Sequence, residues 1–68
     1  MNVEVHLQPS GAQHDVDLPS PARGLDLLSA LGLAPDAHLL VRGDVPLPED
    51  EELREGDCIR VIAVVSGG

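Results

Sequence analysis

The chain has no lysine and no phenylalanine, tyrosine or tryptophan. Its four cations are all arginines, Arg23, Arg42, Arg54 and Arg60, set against twelve acidic residues for a net charge of -8. That balance builds neither a basic patch nor an aromatic stacking platform, which excludes nucleic acid as a direct ligand. The charge would steer the chain toward a basic protein surface, an attraction that weakens as salt rises. A solvated acidic surface that keeps a small protein dissolved accounts for the same composition. The single cysteine, Cys58, excludes an internal disulfide. His6, His14, His38 and Cys58 show no short-spaced ligand pair of the kind zinc modules use, so no metal site is expected and the histidines read as surface residues. No apolar run approaches the roughly 20 residues of a spanning helix, so no membrane association is expected. "MNVEVHLQ" has neither the basic start nor the apolar core of a secretory signal, and the expected location is cytoplasmic. Without a signal, Arg42-Gly43-Asp44 reads as an ordinary turn and not as an adhesion motif.

Sixty-eight residues fit one domain, taken as residues 1–68. In so short a chain a single core rarely supplies more than about 3–5 kcal/mol, and small domains often add disulfides or a metal. With neither expected, and no aromatic ring, aliphatic packing carries the stability.

Several aliphatic segments are patterned. "NVEVHLQ" alternates, with Val3, Val5 and Leu7 on one face and Asn2, Glu4, His6 and Gln8 on the other, the signature of a half-buried strand. "PSGA" supplies turn residues, and "HDVDL" resumes the alternation through His14, Val16 and Leu18, predicting an antiparallel hairpin. In "SPARGLDLLSALG" the period changes to that of a helix. Ser20 is the expected cap before Pro21, Leu25, Leu28 and, one turn on, Leu31 or Gly32 line the apolar stripe with Leu27 beside it, and Gly32 fits a left-handed stop. "HLLVRG" reads as a short strand ended by the Gly43-Asp44 turn, and "VPLPEDEELREGD" as a loop in which Leu53 plugs the core. The Glu49 to Glu52 run and Glu55 are either solvated or available to a basic groove. The last segment, "CIRVIAVV", is aliphatic enough for the middle of a sheet.

A hairpin, one helix and a final strand returning to the sheet centre give an α+β fold of β-grasp type. The expected sheet is mixed, with four to five strands and one helix across it. A ferredoxin-like split βαβ unit would need a second helix, and "PEDEELREGD" is a poor one.

Three features together resemble the ubiquitin-like sulfur carriers, the ThiS/MoaD-like group that includes thiamin and molybdopterin carriers, tRNA-thiolation carriers and archaeal small ubiquitin-like modifier proteins. They are "LREGDCIRV" leading into the last strand, the closing "AVVSGG", and the order of elements along the chain. The resemblance implies a carrier that is not itself an enzyme and binds no cofactor. An activating enzyme of ubiquitin-activating type, an adenylyltransferase using ATP and Mg²⁺, would adenylate the Gly68 carboxylate. A sulfur donor of cysteine desulfurase or rhodanese type would then convert it to a thiocarboxylate for an acceptor enzyme in thiamin synthesis, tRNA thiolation or the molybdopterin pathway. A carboxylate is a poor electrophile until it becomes a mixed anhydride, and reaching a buried nucleotide requires a thin tail. Glycine lets backbone pass closest to another surface, which suits Gly67 and Gly68, with Ser66 small for the same reason; residues 66–68 are the expected flexible tail.

Two other functions remain open. The chain could be a protein modifier joined through Gly68 to target lysines, although without a lysine of its own it builds no isopeptide chains on itself. It could also be an interaction module whose tail is never activated. For docking, Arg60 is assigned outward on the final strand, which turns Ile59, Val61, Ala63 and Val65 inward and leaves Ile62 and Val64 outside. The same logic sends Leu39 and Val41 inward and Leu40 outward. Leu40, Ile62 and Val64, rimmed by Arg42 and Arg60, are thus the expected partner-docking patch. Cys58 reads as a small buried hydrophobe, in preference to a sulfur relay.

Overall fold

The computed structural model describes residues 1–64. The hairpin forms as its alternation predicts: β1 (Asn2–Gln8) pairs antiparallel with β2 (Gln13–Asp17), setting Val3 opposite Val16 and Val5 opposite His14. A helix, α1 (Gly24–Leu31), and a 3-10 turn at Pro35–Ala37 follow. Then come β3 (His38–Arg42), β4 (Val45–Leu47) and β5 (Cys58–Ala63). The five strands make one mixed sheet in the order β2-β1-β5-β3-β4, with β5 parallel to β1 and antiparallel to β3. The most aliphatic segment therefore occupies the centre, where both edges of its backbone are paired.

The core lies on the helix side of the sheet. Val3, Val5, Ile59 and Val61 from the strands meet Leu27 and Leu28 of α1, and Leu18, Ala22, Leu40, Leu47 and Leu53 close its edges. Leu53 plugs the core from within the acidic loop as its isolation among charges suggests.

The sequence places the start of the helix too early. Ser20 does not cap it, and the helix opens at Gly24 after the extended Arg23, whose N–H donates to the Asp26 carboxylate at 2.8 Å. The acidic loop provides what a Ser20 cap would have supplied. The Gly24 and Leu25 N–H groups, which have no acceptor inside the helix, donate to the Glu51 and Glu49 carbonyls at 3.1 and 2.8 Å. Leu53 N–H reaches back to the Ala22 carbonyl at 2.8 Å. The buried stripe also differs from the expected one: Gly24, Leu27 and Leu28 face inward, and Leu25 is 46% exposed. The other end stops as expected. Gly32 adopts φ 70, its N–H bonds the Ser29 carbonyl and that of Leu33 the Leu28 carbonyl, the double closure of a left-handed glycine stop.

The segment read as loop after the Gly43 turn begins with a strand. Val45–Leu47 pairs antiparallel with β3, placing Pro46 opposite Val41 and Leu47 opposite Leu40. As the outermost strand, β4 can carry a proline that a central strand would reject. No helix among the described residues is long and apolar enough to cross a membrane.

Candidate functional site

The final strand turns as expected between residues 58 and 64. Ile59 and Val61 are buried, Ile62 and Arg60 are half-buried on the opposite side, and Val64 is 36% exposed. Ala63 belongs to the inner side by alternation but lies at the end of the sheet and is exposed. β5 and β1 run in the same direction, so the chain leaves the sheet at the end where β1 finishes and β3 begins. There Val64 N–H donates to the Ala37 carbonyl at 2.9 Å. Val65 and the tail residues Ser66, Gly67 and Gly68 lie outside the described residues.

The structure brings together three of the five residues of the expected patch. Arg60, Ile62 and Val64 share the outer face, but Leu40 is 5% exposed and sits in the core opposite Val61. The alternation of β3 is opposite to the sequence reading: Leu39, 56% exposed and opposite Ile62, and Val41, opposite Arg60, face outward. An outer apolar stripe of Leu39, Val41, Ile62 and Val64 therefore lies beside the exit of the chain. Arg60 borders it beside Val41 and donates to the Gly43 carbonyl at 3.0 Å.

A charged residue ending a strand is expected to point to solvent, and Arg42 does not. It lies on the core side at the end of β3, where the acidic loop neutralises it. Its guanidinium donates to Glu51 at 2.9 Å, Asp57 at 2.8 Å and the Glu52 carbonyl at 3.0 Å. The Asp57 hydrogen bond, against the cost of burial, raises the Arg42 pKa further. Burial pushes the Asp57 carboxyl up, but the Arg42 guanidinium and the Arg54 N–H at 2.8 Å outweigh it and hold the group below its ordinary value. Arg42 is thus a clasp between β3 and the loop, and takes no part in the outer face.

Cys58 is exposed, not buried. It stands opposite Glu4 in the parallel β1–β5 pair, and its thiol donates to the Glu4 carboxylate at 3.4 Å. His6, two residues along the same face of β1, meets the same carboxylate oxygen at 2.6 Å. His6 therefore has both a carboxylate and a cysteine as neighbours, against the expectation of an isolated surface histidine. The hydrogen bonds from His6 and then Cys58 lower the Glu4 pKa, whereas desolvation, and after it the hydrogen bond to Glu4 and its charge, raise that of Cys58. Glu4-x-His6 on one strand face was the available sequence signal; Cys58 lies 54 positions from Glu4 and joins them only through strand pairing.

Comparison with known proteins identifies the class to which this sheet and helix belong. The crystal structure of SAMP1 from Haloferax volcanii superposes with a TM-score of 0.77 over 100% of both chains at 21% identity, establishing the ubiquitin-like β-grasp fold. The model of the family described as Small archaeal modifier protein 2 matches residues 1–65, and the chain belongs to that family. Over 43 residues, 63% of this chain, it is 40% identical to the sulfur carrier protein TtuB of Thermus thermophilus, covering 66% of that protein. It is 35% identical over 43 residues to an uncharacterized protein of Archaeoglobus fulgidus, covering 63% of each. The matched segment thus spans just under two thirds of both relatives.

Proposed function

We propose that this member of a modifier and sulfur-carrier family is a sulfur carrier activated at the carboxylate of Gly68. The carboxylate attacks the α-phosphorus of ATP on a Mg²⁺-dependent activating enzyme, and pyrophosphate departs. The terminal sulfur of a donor persulfide then attacks the acyl carbon and releases AMP. Cleavage of the resulting S–S bond by a thiol leaves the thiocarboxylate, which an acceptor enzyme consumes. The chain is a substrate throughout, and the nucleotide, Mg²⁺ and general bases belong to its partners.

The observation that carries this reading is the family match over residues 1–65. The likeness to a sulfur carrier favours sulfur transfer over a tail that is never activated. The outer stripe of Leu39, Val41, Ile62 and Val64 supports it physically: an apolar surface rimmed by Arg60 beside the departing chain would hold the tail against a nucleotide site. The second reading, single conjugation through Gly68 to lysines of other proteins, is favoured by the modifier description of the family and uses the same adenylate.

The test is ATP–pyrophosphate exchange with the adenylating enzyme from the same genome. Exchange is expected with the full chain and should disappear when Gly68 is deleted. Exchange indifferent to that deletion, or absent with both chains, would leave a plain interaction module.

A further inference from the structure

Glu4, His6 and Cys58 lie outside the core and outside the tail chemistry. Their ligand atoms, a carboxylate oxygen, an imidazole nitrogen and a thiol sulfur, all fall within 4.8 Å of one another. Strand geometry causes this convergence. Residues 4 and 6 point the same way from β1, and the parallel register sets Cys58 of β5 directly beside Glu4. Both strands are interior to the sheet, so their backbone hydrogen bonds on each edge fix the spacing of the three side chains.

We propose that this cluster binds one divalent zinc-like cation through Glu4 Oε2, His6 Nε2 and Cys58 Sγ. The donor set selects the class of metal. A thiolate and an imidazole favour borderline-soft ions such as Zn²⁺, Co²⁺ or Ni²⁺, whereas Ca²⁺ and Mg²⁺ require a shell of oxygen ligands. Zinc bond lengths of about 2.0–2.3 Å in a tetrahedral shell place donor atoms about 3.3–3.6 Å apart. The sulfur to oxygen separation of 3.4 Å already meets that spacing. The nitrogen to oxygen contact is 2.6 Å and must open by roughly 0.8 Å, a movement of two partly exposed side chains. Arg60, the neighbour of His6 across the strand pair, is committed to the Gly43 carbonyl on the far side, so no guanidinium occupies the position of the metal. Three protein ligands on an open sheet face leave the fourth position to water or to a donor from a docked protein, the arrangement of sites that exchange ligands. Because the site borders the outer stripe at Arg60, a bound cation would change the charge next to the proposed docking surface without touching the tail.

The experiment titrates the metal-free full chain with Co²⁺ alone, reading the thiolate-to-cobalt charge-transfer absorption and the ligand-field bands of a tetrahedral site. One Co²⁺ per chain is expected, displaced by Zn²⁺. The charge-transfer band should vanish in Cys58→Ser, and binding should weaken more than about tenfold in Glu4→Gln and in His6→Gln. His14→Gln and His38→Gln should bind as the parent does. All three ligand residues lie on the solvent side of the sheet, and far-ultraviolet circular dichroism of each variant verifies that it remains folded; Cys58→Ala replaces any serine variant that does not. No thiolate band, or a band retained at parental affinity in both Glu4→Gln and His6→Gln, would overturn the site.

Discussion

Gly24 provides a test in which two general rules predict opposite signs. It occupies the first position of α1, and inside a helix alanine is favoured over glycine by up to about 1 kcal/mol. A Cβ built there would lie 2.6 Å from Leu40 Cδ1, 3.2 Å from Glu49 Cα and 3.3 Å from the Glu49 carbonyl oxygen. Carbon atoms pack best at about 3.5–4.0 Å, so the two carbon contacts are too close, and the contact to the carbonyl oxygen is tight as well. Leu40 is confined within the core, and the Glu49 backbone is held by the Leu25 N–H at 2.8 Å, so neither yields freely. Overpacking of this kind costs about 1–3 kcal/mol. With two of the three contacts made to backbone, the upper part of that range applies, and Gly24→Ala should be destabilised by about 1–2 kcal/mol net. In a domain of this size that lowers Tm by about 5–15 °C. The chain has neither tyrosine nor tryptophan, so unfolding is followed by far-ultraviolet circular dichroism. The same substitution in a Leu40→Val background should cost less, because the closest contact is relieved. A Tm at or above that of the parent would show that helix propensity, and not the approach of the loop, governs this position.

Adjacent leucines of β3 should separate stability from recognition. Leu40→Ala should lose about 2–4 kcal/mol in urea unfolding, and Leu39→Ala should stay within about 0.5 kcal/mol of the parent; equal losses would contradict the assigned strand alternation. Leu39→Glu, folded normally, should slow adenylation by the activating enzyme through KM, and an unchanged KM would remove Leu39 from the docking face. Asp57→Asn tests the clasp. Because folding lowers the Asp57 pKa, its stabilisation is complete above the unfolded carboxyl value of about 3.9 and is lost as pH falls through the folded one. The parent should exceed the variant by about 1–3 kcal/mol at neutral pH, with the gap closing below about pH 4. A gap that does not depend on pH would contradict the assignment. Gly32→Ala meets no atom within 4 Å, so its cost of about 1 kcal/mol should reflect only the left-handed backbone. A neutral result would refute that.

What could be read from the sequence was local or strongly patterned. β1 alternates without exception, β5 is the most aliphatic run, and Gly32 follows the last helical leucine, so hairpin, central strand and helix stop were all legible. "HLLVR" gave no such signal, because its two adjacent leucines fit either face. Only Arg42 discriminates between the faces, and it points the wrong way because the acidic loop folds over the end of β3 and supplies Glu51 and Asp57. The same loop accepts the first N–H groups of α1, so the helix begins where tertiary acceptors exist and not at the serine cap expected from sequence. β4 was obscured by prolines that only an edge strand tolerates. Cys58 beside Glu4 is a product of parallel pairing between the first and last strands, for which sequence spacing holds no trace.

The central claim, activation at Gly68, is tested most directly by intact mass of the chain recovered from its own cells under sulfur-replete growth. Replacement of one oxygen by sulfur, localised by fragmentation to Gly68, is the predicted result. A bare carboxylate on every molecule would contradict the carrier, and if it came with the peptide "VIAVVSGG" branched onto lysines of other proteins after cleavage at Arg60, it would establish the modifier in its place.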